Sequence, residues 1–406
     1  MLFTEKSVLD FGAKGDGVTN DHAAFQKALD SGAGYLYVPV GKYVIGGTLT
    51  LHSDTRLRLH PEAVMFWGNG SGQNASSHLI TNEKGARNIA VEGGIWDGNT
   101  VGNPRIPMDG EDVGYLGIPI EFRDMEGLSL MNMTVRNSES FHIRLNYVKN
   151  FRIEEITFDD QIHRVNQDGV HLAGGCENGV IRKIRGNGVS SANDDMIALI
   201  TDVTLENMWL GDPARGQRPG PIRNIVIEDL YADNTFSFLR LMSEQEPLEN
   251  ISVRNVRGGC YYLGVQMQIS PYVREKESAK GQRGVGKLKN ITLSDWRIYH
   301  RQPYGMDIDW QKRADASVDG MIDMEEMVEN LTIDHFVREY DKDNRPDLPT
   351  LYIKNDVENR IELIGADNTL LKLDGQEYQG RFILKETTPA DGITELYGDI
   401  DYLHFE

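Results

Sequence analysis

Cysteine is nearly absent from this sequence, as are long apolar runs. Cys176 and Cys260 are the two cysteines, too few for a disulfide framework and without metal-site spacing, so both are predicted to be free thiols. No apolar run approaches the roughly 18–20 residues of a membrane span. The first residues lack a basic segment followed by an apolar one, so no secretory signal is read. These absences predict a cytoplasmic protein that has no membrane partner.

Positive charge is also scarce. The chain carries 42 Lys and Arg against 62 Asp and Glu, a formal net charge of −20. Binding to phosphate backbones needs a basic surface, so nucleic acid is not expected as a partner. A polyanionic polysaccharide would likewise feel no long-range attraction to this chain.

One phrase is repeated along the chain: an asparagine followed by alternating apolar residues. Copies begin at Asn88, Asn150, Asn178, Asn224, Asn250, Asn290, Asn330 and Asn359, with weaker copies at Gly127 and Asp202. The closest copies are about 22 to 28 residues apart, and each reads as a period-2 strand, a turn and a second short strand. A repeat of this length built from strands indicates a solenoid.

The predicted fold is all-β: a right-handed parallel β-helix of about ten coils. Leucine-rich repeats have a similar period, but their leucine phrase is absent. Asparagine tolerates a left-handed turn, and its amide can bond the asparagine one coil away. Residues 19–34 predict an N-terminal capping helix. Residues 1–364 are predicted to form the β-helix catalytic domain, and residues 365–406, which lose the repeat, a small C-terminal β appendage.

Several short phrases of the sequence resemble those of a known protein superfamily. "VLDFGAKGDGVTNDHAAFQKAL" is similar to the N-terminal phrase of the pectate-lyase-like β-helix superfamily. "NQDGVHL", "NDDMIAL" and "FLRLMS" resemble the Asn-x-Asp, Asp-Asp and Arg-Ile-Lys phrases of its polygalacturonase-type glycoside hydrolases (family 28). The matching residues are Asn166, Asp168, Asp194, Asp195 and Arg240. Two features depart from the pattern: the Gly-His-Gly phrase is missing, and Met242 replaces the lysine.

The resemblance implies a glycoside hydrolase that uses clustered aspartates. Asp194 would be the general acid, and Asp168 with Asp195 would hold the attacking water. Family members invert the anomeric carbon, which leads us to expect a carboxyl separation of about 6.5–9.5 Å. Asp168 and the Asp194–Asp195 pair are about one coil apart, and adjacent coils stack at about 4.8 Å, so the three carboxylates should share one patch.

Strand alternation predicts a polar groove on the same sheet. Inward apolar residues in each strand turn their neighbours outward. The predicted substrate-binding residues are His142, Arg144, Asn166, His171, Arg240, Gln266 and Gln268. Such a row of acids, amides and bases suits a hydroxyl-rich carbohydrate.

The expected substrate is a neutral or singly charged glycoside, because the cations that would read each galacturonate are incomplete. Inserts at 97–118, 211–221 and 271–288 favour exo action. No cofactor or metal is expected, and a homo-oligomer stays open. Three alternatives also stay open: a Ca²⁺ site on the aspartates, a polysaccharide lyase with Arg240 as base and Ca²⁺ on the aspartates, and a solenoid that binds carbohydrate without catalysis.

Overall fold

The computed structural model describes most of the chain as short parallel strands. The described residues are 5–105, 114–164, 166–188, 191–201, 218–243, 246–267, 288–301, 320–324, 328–346, 348, 350–353, 363–364, 371–373, 382–385 and 403–404. None of the helices in these ranges has the length and apolar character to cross a bilayer.

The strands follow one another with short turns between them. In chain order they are β1 Lys6–Ser7, β2 Asp16–Asn20, β3 Tyr35–Val38, β4 Lys42–Ile45, β5 Leu49–Leu51, β6 Arg56–Leu59, β7 Val64–Trp67, β8 Ile80–Asn82, β9 Arg87–Glu92, β10 Ile95–Asp97, β11 Ile120–Arg136, β12 Ile143–Phe158, β13 Val170–Ala173, β14 Glu177–Gly186, β15 Asp195–Ile200, β16 Ile222–Met242, β17 Leu248–Met267, β18 Leu288–His300, β19 Ile322–Met324, β20 Val328–Arg338, β21 Leu351–Ile353, β22 Leu363–Ile364, β23 Leu371–Leu373, β24 Phe382–Lys385 and β25 Leu403–His404. A 3₁₀ helix, Val8–Phe11, and the α-helix α1, His22–Asp30, precede most of them.

Each strand pairs in parallel with the strand one coil before it and the strand one coil after it. Leu49 of β5 aligns with Ile80 of β8, and Ile80 aligns with Ile120 of β11. Alternate residues point into the coil, as in β6, whose residues are exposed, buried, exposed and buried in turn. The stacked coils enclose one apolar core. This architecture is the predicted right-handed parallel β-helix.

Three parallel faces run along the solenoid, and one of them carries the predicted site. This site face consists of β5, β8, the starts of β11 and β12, β13, β15, the ends of β16 and β17, β19, β21 and β23. Its register is continuous through these strands. A residue on one strand therefore has a fixed neighbour one strand spacing away on the next coil.

The repeated asparagines occupy left-handed turns, as predicted. The residues with φ between 54° and 58° include Asn88, Asn150, Asn178, Asn224, Asn250 and Asn290. Their side chains form a ladder in which each amide nitrogen donates to the preceding coil. Asn290 donates to Asn250 at 2.9 Å, and Asn250 donates to Asn224 at 2.9 Å. The side chain of Asn330 and all of Asn359 lie outside the described residues.

The N-terminal helix forms, but it is shorter than the predicted span of 19–34. Asn20 ends β2 instead, and its Oδ1 accepts from the backbone N–H groups of His22 and Gly46. The helix buries Phe25, Ala28 and Leu29 in the main core, so it covers apolar side chains at this end of the solenoid.

Two strands beyond the predicted domain boundary continue the coil ladder. Within the described segments, β23 pairs in parallel with β21, and β24 pairs in parallel with β20. Strands β22 and β25 pair separately with each other. The division at residue 364 stays a prediction, and these pairings join short strands on either side of it in the same parallel sheet.

Candidate active site

The three predicted catalytic aspartates meet at the entrance to two neighbouring strands of the site face. Asp195 is the first residue of β15, and Asp168 lies two residues before β13. Val170 aligns with Ile197, so Asp168 stands opposite Asp195 one coil away. One oxygen from each of Asp168, Asp194 and Asp195 lies within 4.8 Å of the others. The predicted patch of carboxylates is therefore present, and all three residues are at most 5% exposed.

The carboxylates are closer together than the inverting geometry led us to expect. The expected separation was about 6.5–9.5 Å, whereas the nearest oxygens fall within 4.8 Å. The physical reason is the register, since residues in register on adjacent parallel strands are one strand spacing apart. A water that these groups activate must therefore lie beside the cluster and not between its carboxyl groups.

Asp195 is held by two donors from the next coils. The amide Nε2 of Gln266 donates to Asp195 Oδ1 at 2.8 Å and also contacts Ser237 Oγ. Arg240 Nη1 donates to Asp195 Oδ2 at 3.5 Å, and the Arg240 side chain is 22% exposed. Arg240 thus remains open to a ligand, whereas Gln266, 1% exposed, orients the carboxylate.

The electrostatics favour retention of a proton in this cluster. Burial raises the pKa of Asp168 well above its usual value, and the neighbouring charges of Asp194 and Asp195 raise it further. Burial and then Asp194 raise the pKa of Asp195 to about 7, against the opposing effect of Arg240. Burial also raises the pKa of Asp194. Arg240 and Arg105 offset only part of this effect, and three buried carboxyls cannot all ionise at low cost, so a general acid is available near neutral pH.

His171 contacts the cluster directly. Its Nδ1 lies 2.7 Å from Asp168 Oδ2, and its ring stacks on Phe141 with centroids 4.0 Å apart. The residue is 1% exposed. The prediction that His171 faces a solvent groove is wrong, because Phe141, Leu116 and Ile118 form an apolar layer at this part of the structure.

Arg144 is also buried, contrary to its predicted place on an open surface. Its Nε and Nη2 donate to Glu121 Oε1 at 3.2 and 2.7 Å. His78 Nε2 lies 2.5 Å from the other oxygen of Glu121. Burial alone would raise the pKa of Glu121, but Arg144 and His78 lower it overall. A paired, 0% exposed arginine cannot contact substrate directly.

His142 is the third correction to the predicted groove. It is 0% exposed. Its Nδ1 lies 2.7 Å from the carbonyl oxygen of Asp168, and its Nε2 lies 2.9 Å from both oxygens of Asp160. A carbonyl oxygen only accepts, so Nδ1 carries a hydrogen. His142 therefore fixes the backbone of Asp168.

The remaining predicted residues divide between the site and segments without a description. Asn166 is half-buried, with Nδ2 at 3.5 Å from Asp194 Oδ2. Gln268 lies outside the described residues, as do most of the inserts at 211–221 and 271–288.

The sequence reasoning missed Arg105, Glu121 and Glu139. Arg105 Nη1 donates to Asn166 Oδ1 at 3.3 Å, and its backbone N–H donates to Glu139 Oε2 at 3.1 Å. Arg105 belongs to the insert at 97–118, which has no repeat phrase to fix its register. The alternation in "IEFRD" places Glu121 on the same side as Arg144, and this signal could have identified it.

A hard cation fits this cluster poorly. Each aspartate could offer one oxygen ligand. However, Arg240 already brings a positive charge to Asp195, and Gln266 occupies its other oxygen. The donor set therefore suits protonation and hydrogen bonding better than metal ligation.

A separate cleft lies away from the aspartate cluster. It has a volume of about 980 Å³ and is lined by residues that include Arg56, Asn88, Ser129 and Arg152. None of the predicted site residues lines it, and it holds no cluster of carboxylates.

The chain is similar to a family model, to curated proteins and to solved structures. A family model described as rhamnogalacturonase A/epimerase, pectate lyase-like, matches residues 6–61. A protein of Aspergillus oryzae named probable rhamnogalacturonase A is 22% identical over 338 residues, covering 78% of this chain and 59% of its own length. The family 28 exopolygalacturonase of Yersinia enterocolitica superposes with a TM-score of 0.56 at 18% identity, covering 98% of this chain and 79% of that one. The surface adhesin PfbA of Streptococcus pneumoniae superposes with a TM-score of 0.60 at 14% identity, covering 97% and 100%.

The fold of the chain is a parallel β-helix, and residues 6–61 are similar to the pectate-lyase-like family model. Over longer stretches the chain is similar to proteins named as polygalacturonase and rhamnogalacturonase. The matches span 39% to 59% of the length of the first three curated relatives, which are named as polygalacturonases and a rhamnogalacturonase.

Proposed function

We propose that this protein is a glycoside hydrolase that acts on oligosaccharides of pectin-like polysaccharide. The observation that carries the proposal is the cluster of Asp168, Asp194 and Asp195, with one oxygen from each within 4.8 Å of the others and Arg240 beside them. Such a cluster can hold a proton for a leaving group and also an ionised carboxylate that activates water. Names of relatives at low identity agree with this chemistry.

Asp194 is the proton donor in this proposal, and Asp168 with Asp195 holds the water. Both oxygens of Asp195 accept hydrogen bonds, from Gln266 and Arg240, which stabilises its ionised form and weakens it as a nucleophile. The expected outcome is therefore a single displacement with inversion. This expectation rests on the hydrogen bonding of Asp195 and not on the carboxyl spacing.

A lyase mechanism with Arg240 as the base is disfavoured. Burial alone would lower the pKa of Arg240, but Asp195, Asp194 and Asp168 raise it overall. A guanidinium stabilised in this way is a poor proton acceptor.

The finer parts of the proposal are exo action, a neutral or singly charged glycoside as substrate, and a cytoplasmic location. The partial exposure of Arg240 supports recognition of one acidic group. Cell fractionation with an antibody against the chain tests the location, and secretion into the medium would contradict it.

The test is a screen of the purified protein on pectin-derived and neutral oligosaccharides. Proton NMR of the first-formed product gives the anomeric configuration, and ultraviolet absorption reports an unsaturated product. We expect new reducing ends, inversion and no ultraviolet signal. Asp195→Asn, the matched control, should lower the rate by about 10²–10⁴. An unsaturated product would favour a lyase, and full activity in Asp195→Asn would refute the proposed site.

A further inference from the structure

His171 is built into the site in a way that the hydrolase proposal does not use. Its Nδ1 is 2.7 Å from Asp168 Oδ2. Its Nε2 is buried and has no hydrogen-bond partner within the described part of the chain. Because His171 is 1% exposed and one face of its ring stacks on Phe141, the ring cannot contact a sugar directly.

The surroundings select one protonation state of this ring. Arg144 aligns with His171 on the preceding coil, and its Nη1 also lacks a hydrogen-bond partner among the described residues. Burial lowers the pKa of His171 well below its usual value, and the charges of Arg144 and Arg240 lower it further. The imidazole is therefore neutral.

The position of its single hydrogen follows from the same neighbours. A hydrogen on Nε2 would be a buried donor without an acceptor, close to two guanidinium groups. A hydrogen on Nδ1 instead meets the carboxylate of Asp168 and leaves the Nε2 lone pair in a cationic environment, which stabilises it. The charged and titratable groups around the ring are Asp168, Asp194, Asp195, Arg105, Arg144 and Arg240, with Glu121 and His78 behind Arg144.

We propose that His171 is a positioning residue that donates Nδ1–H to Asp168 and favours the ionised form of that carboxyl, the form that accepts a proton from the attacking water. The proposal rests on the hydrolase function above and deepens it by naming what decides the distribution of protons. Three buried carboxyls would otherwise exchange roles. Burial and the charges of Asp194 and Asp195 raise the pKa of Asp168, and the Nδ1–H bond of His171 opposes that rise, as Arg240 does for Asp195.

Asp194 keeps the role of proton donor that the proposed function gives it. Its Oδ1 accepts from the backbone N–H of Asp195 at 3.0 Å, and its Oδ2 lies 3.5 Å from Asn166 Nδ2. Burial raises its pKa, against the charges of Arg240 and Arg105 and the backbone hydrogen bonds from Asp195 and Asn166. A donor that favours the ionised form of Asp168 therefore shifts the shared proton toward Asp194 and Asp195.

The test compares His171→Asn with His171→Leu, two side chains of nearly equal size. The Asn amide can place an N–H where Nδ1–H was, whereas Leu cannot. Activity should rise with pH as Asp168 ionises, so losing the donor raises the pKa of Asp168 and moves this acidic limb of kcat/KM upward. We expect a shift of about 1–2 pH units in His171→Leu and little shift in His171→Asn. Equal shifts, or a lower kcat with unmoved limbs in both, would overturn the proposal.

A second measurement does not depend on activity. In wild-type protein labelled with ¹⁵N-histidine, two-bond correlations report which ring nitrogen of His171 carries hydrogen, with the resonance assigned by its loss in His171→Asn. We expect the neutral Nδ1–H form between about pH 5 and 8. An Nε2–H form or an imidazolium would overturn the proposal, even if His171→Leu does not fold. Absence of glycosidase activity with the Nδ1–H form present would refute the hydrolase function alone.

Discussion

Three carboxyl groups and one guanidinium share a small buried volume at the entrances of β13 and β15. Asp168 and Asp195 are brought together by strand register, and Asp194 is adjacent in the chain. The arrangement is unfavourable for folding, because desolvation opposes every charge in it. It is favourable for catalysis, because the same desolvation keeps one carboxyl group protonated at neutral pH.

Asp194→Asn should separate proton donation from water activation. The variant keeps the size of the side chain and loses the acidic proton, so cleavage of a natural glycoside should slow by about 10²–10⁴. A substrate with an activated aryl leaving group needs little protonation and should lose much less. Steady-state rates on both substrates measure the difference.

Asp168→Asn and Asp195→Asn are the controls for this test, since both substrates still need an activated water. Each should slow the two substrates alike. The same fractional loss on both substrates in Asp194→Asn would remove Asp194 from the role of acid.

Asp195→Asn should stabilise the protein at alkaline pH while it inactivates the site. The pKa of Asp195 is about 7 when folded against a usual value of 3.8, so its ionisation destabilises the folded state increasingly as pH rises from about 4 through 7. The neutral amide removes this penalty. We expect a gain of about 1–3 kcal/mol in the free energy of unfolding at pH 8, and almost none at pH 4, by urea denaturation. A gain of equal size at both pH values would contradict the cause.

The sequence predicted the reacting residues better than their surroundings. The aspartate phrases and Arg240 carry a recognisable spacing, and strand register then brings them together. The burial of His142, Arg144 and His171 was not predictable by alternation, which says which side of a strand a residue faces but not whether another layer covers that side. Over His171 that layer is Phe141, which packs with Leu116 and Ile118 from an insert outside the repeat.

At the scale of elements, the turn asparagines do two jobs at each coil. Asn224 has φ of 56°, a region that most side chains avoid. Its amide donates to Asn178 at 3.0 Å, and its oxygen accepts from Asn250 at 2.9 Å. The repeat phrase predicted both properties, because it marks one turn that recurs at the same place in each coil. The extent of α1 was less predictable, since Asn20 forms a tertiary bond to Gly46 that no local pattern reveals.

Asn224→Ala and Asn224→Gly should divide these two contributions. Glycine accepts a positive φ but loses both ladder bonds, at about 1–3 kcal/mol. The alanine variant loses the same bonds, and its left-handed backbone lowers the free energy of unfolding by about 1–2 kcal/mol more. Urea denaturation should therefore rank wild type above Gly above Ala. Equal stability of the two variants would mean that backbone strain contributes nothing at this turn.

For the molecule as a whole, the two cysteines report on the integrity of the central coils. Both are free and 0% exposed, and Cys176 lies just before β14 while Cys260 lies within β17. Burial raises the pKa of the Cys176 thiol to about 12 and that of Cys260 further. Neither thiolate is available at neutral pH in the folded state.

Thiol titration should therefore find no reactive group in the native protein and two in the unreduced, denatured protein. The rate at which label appears at intermediate urea concentrations should match the rate of unfolding seen by circular dichroism. A single titratable thiol after denaturation would contradict the structure. Fast labelling of the native protein would mean that the middle of the solenoid opens locally.

The asparagine ladder also has a direction. From Asn290 through Asn250, Asn224 and Asn178, each side-chain amide donates one hydrogen bond toward the N-terminal end of the solenoid. The ladder is thus a stack of aligned side-chain dipoles, and neighbouring members polarise one another. Its positive end rests on a carboxylate, because Asn150 donates to Glu126 Oε1 at 2.9 Å. One edge of the solenoid therefore has a net side-chain dipole, and the negative charge of Glu126 stabilises the positive end of that dipole.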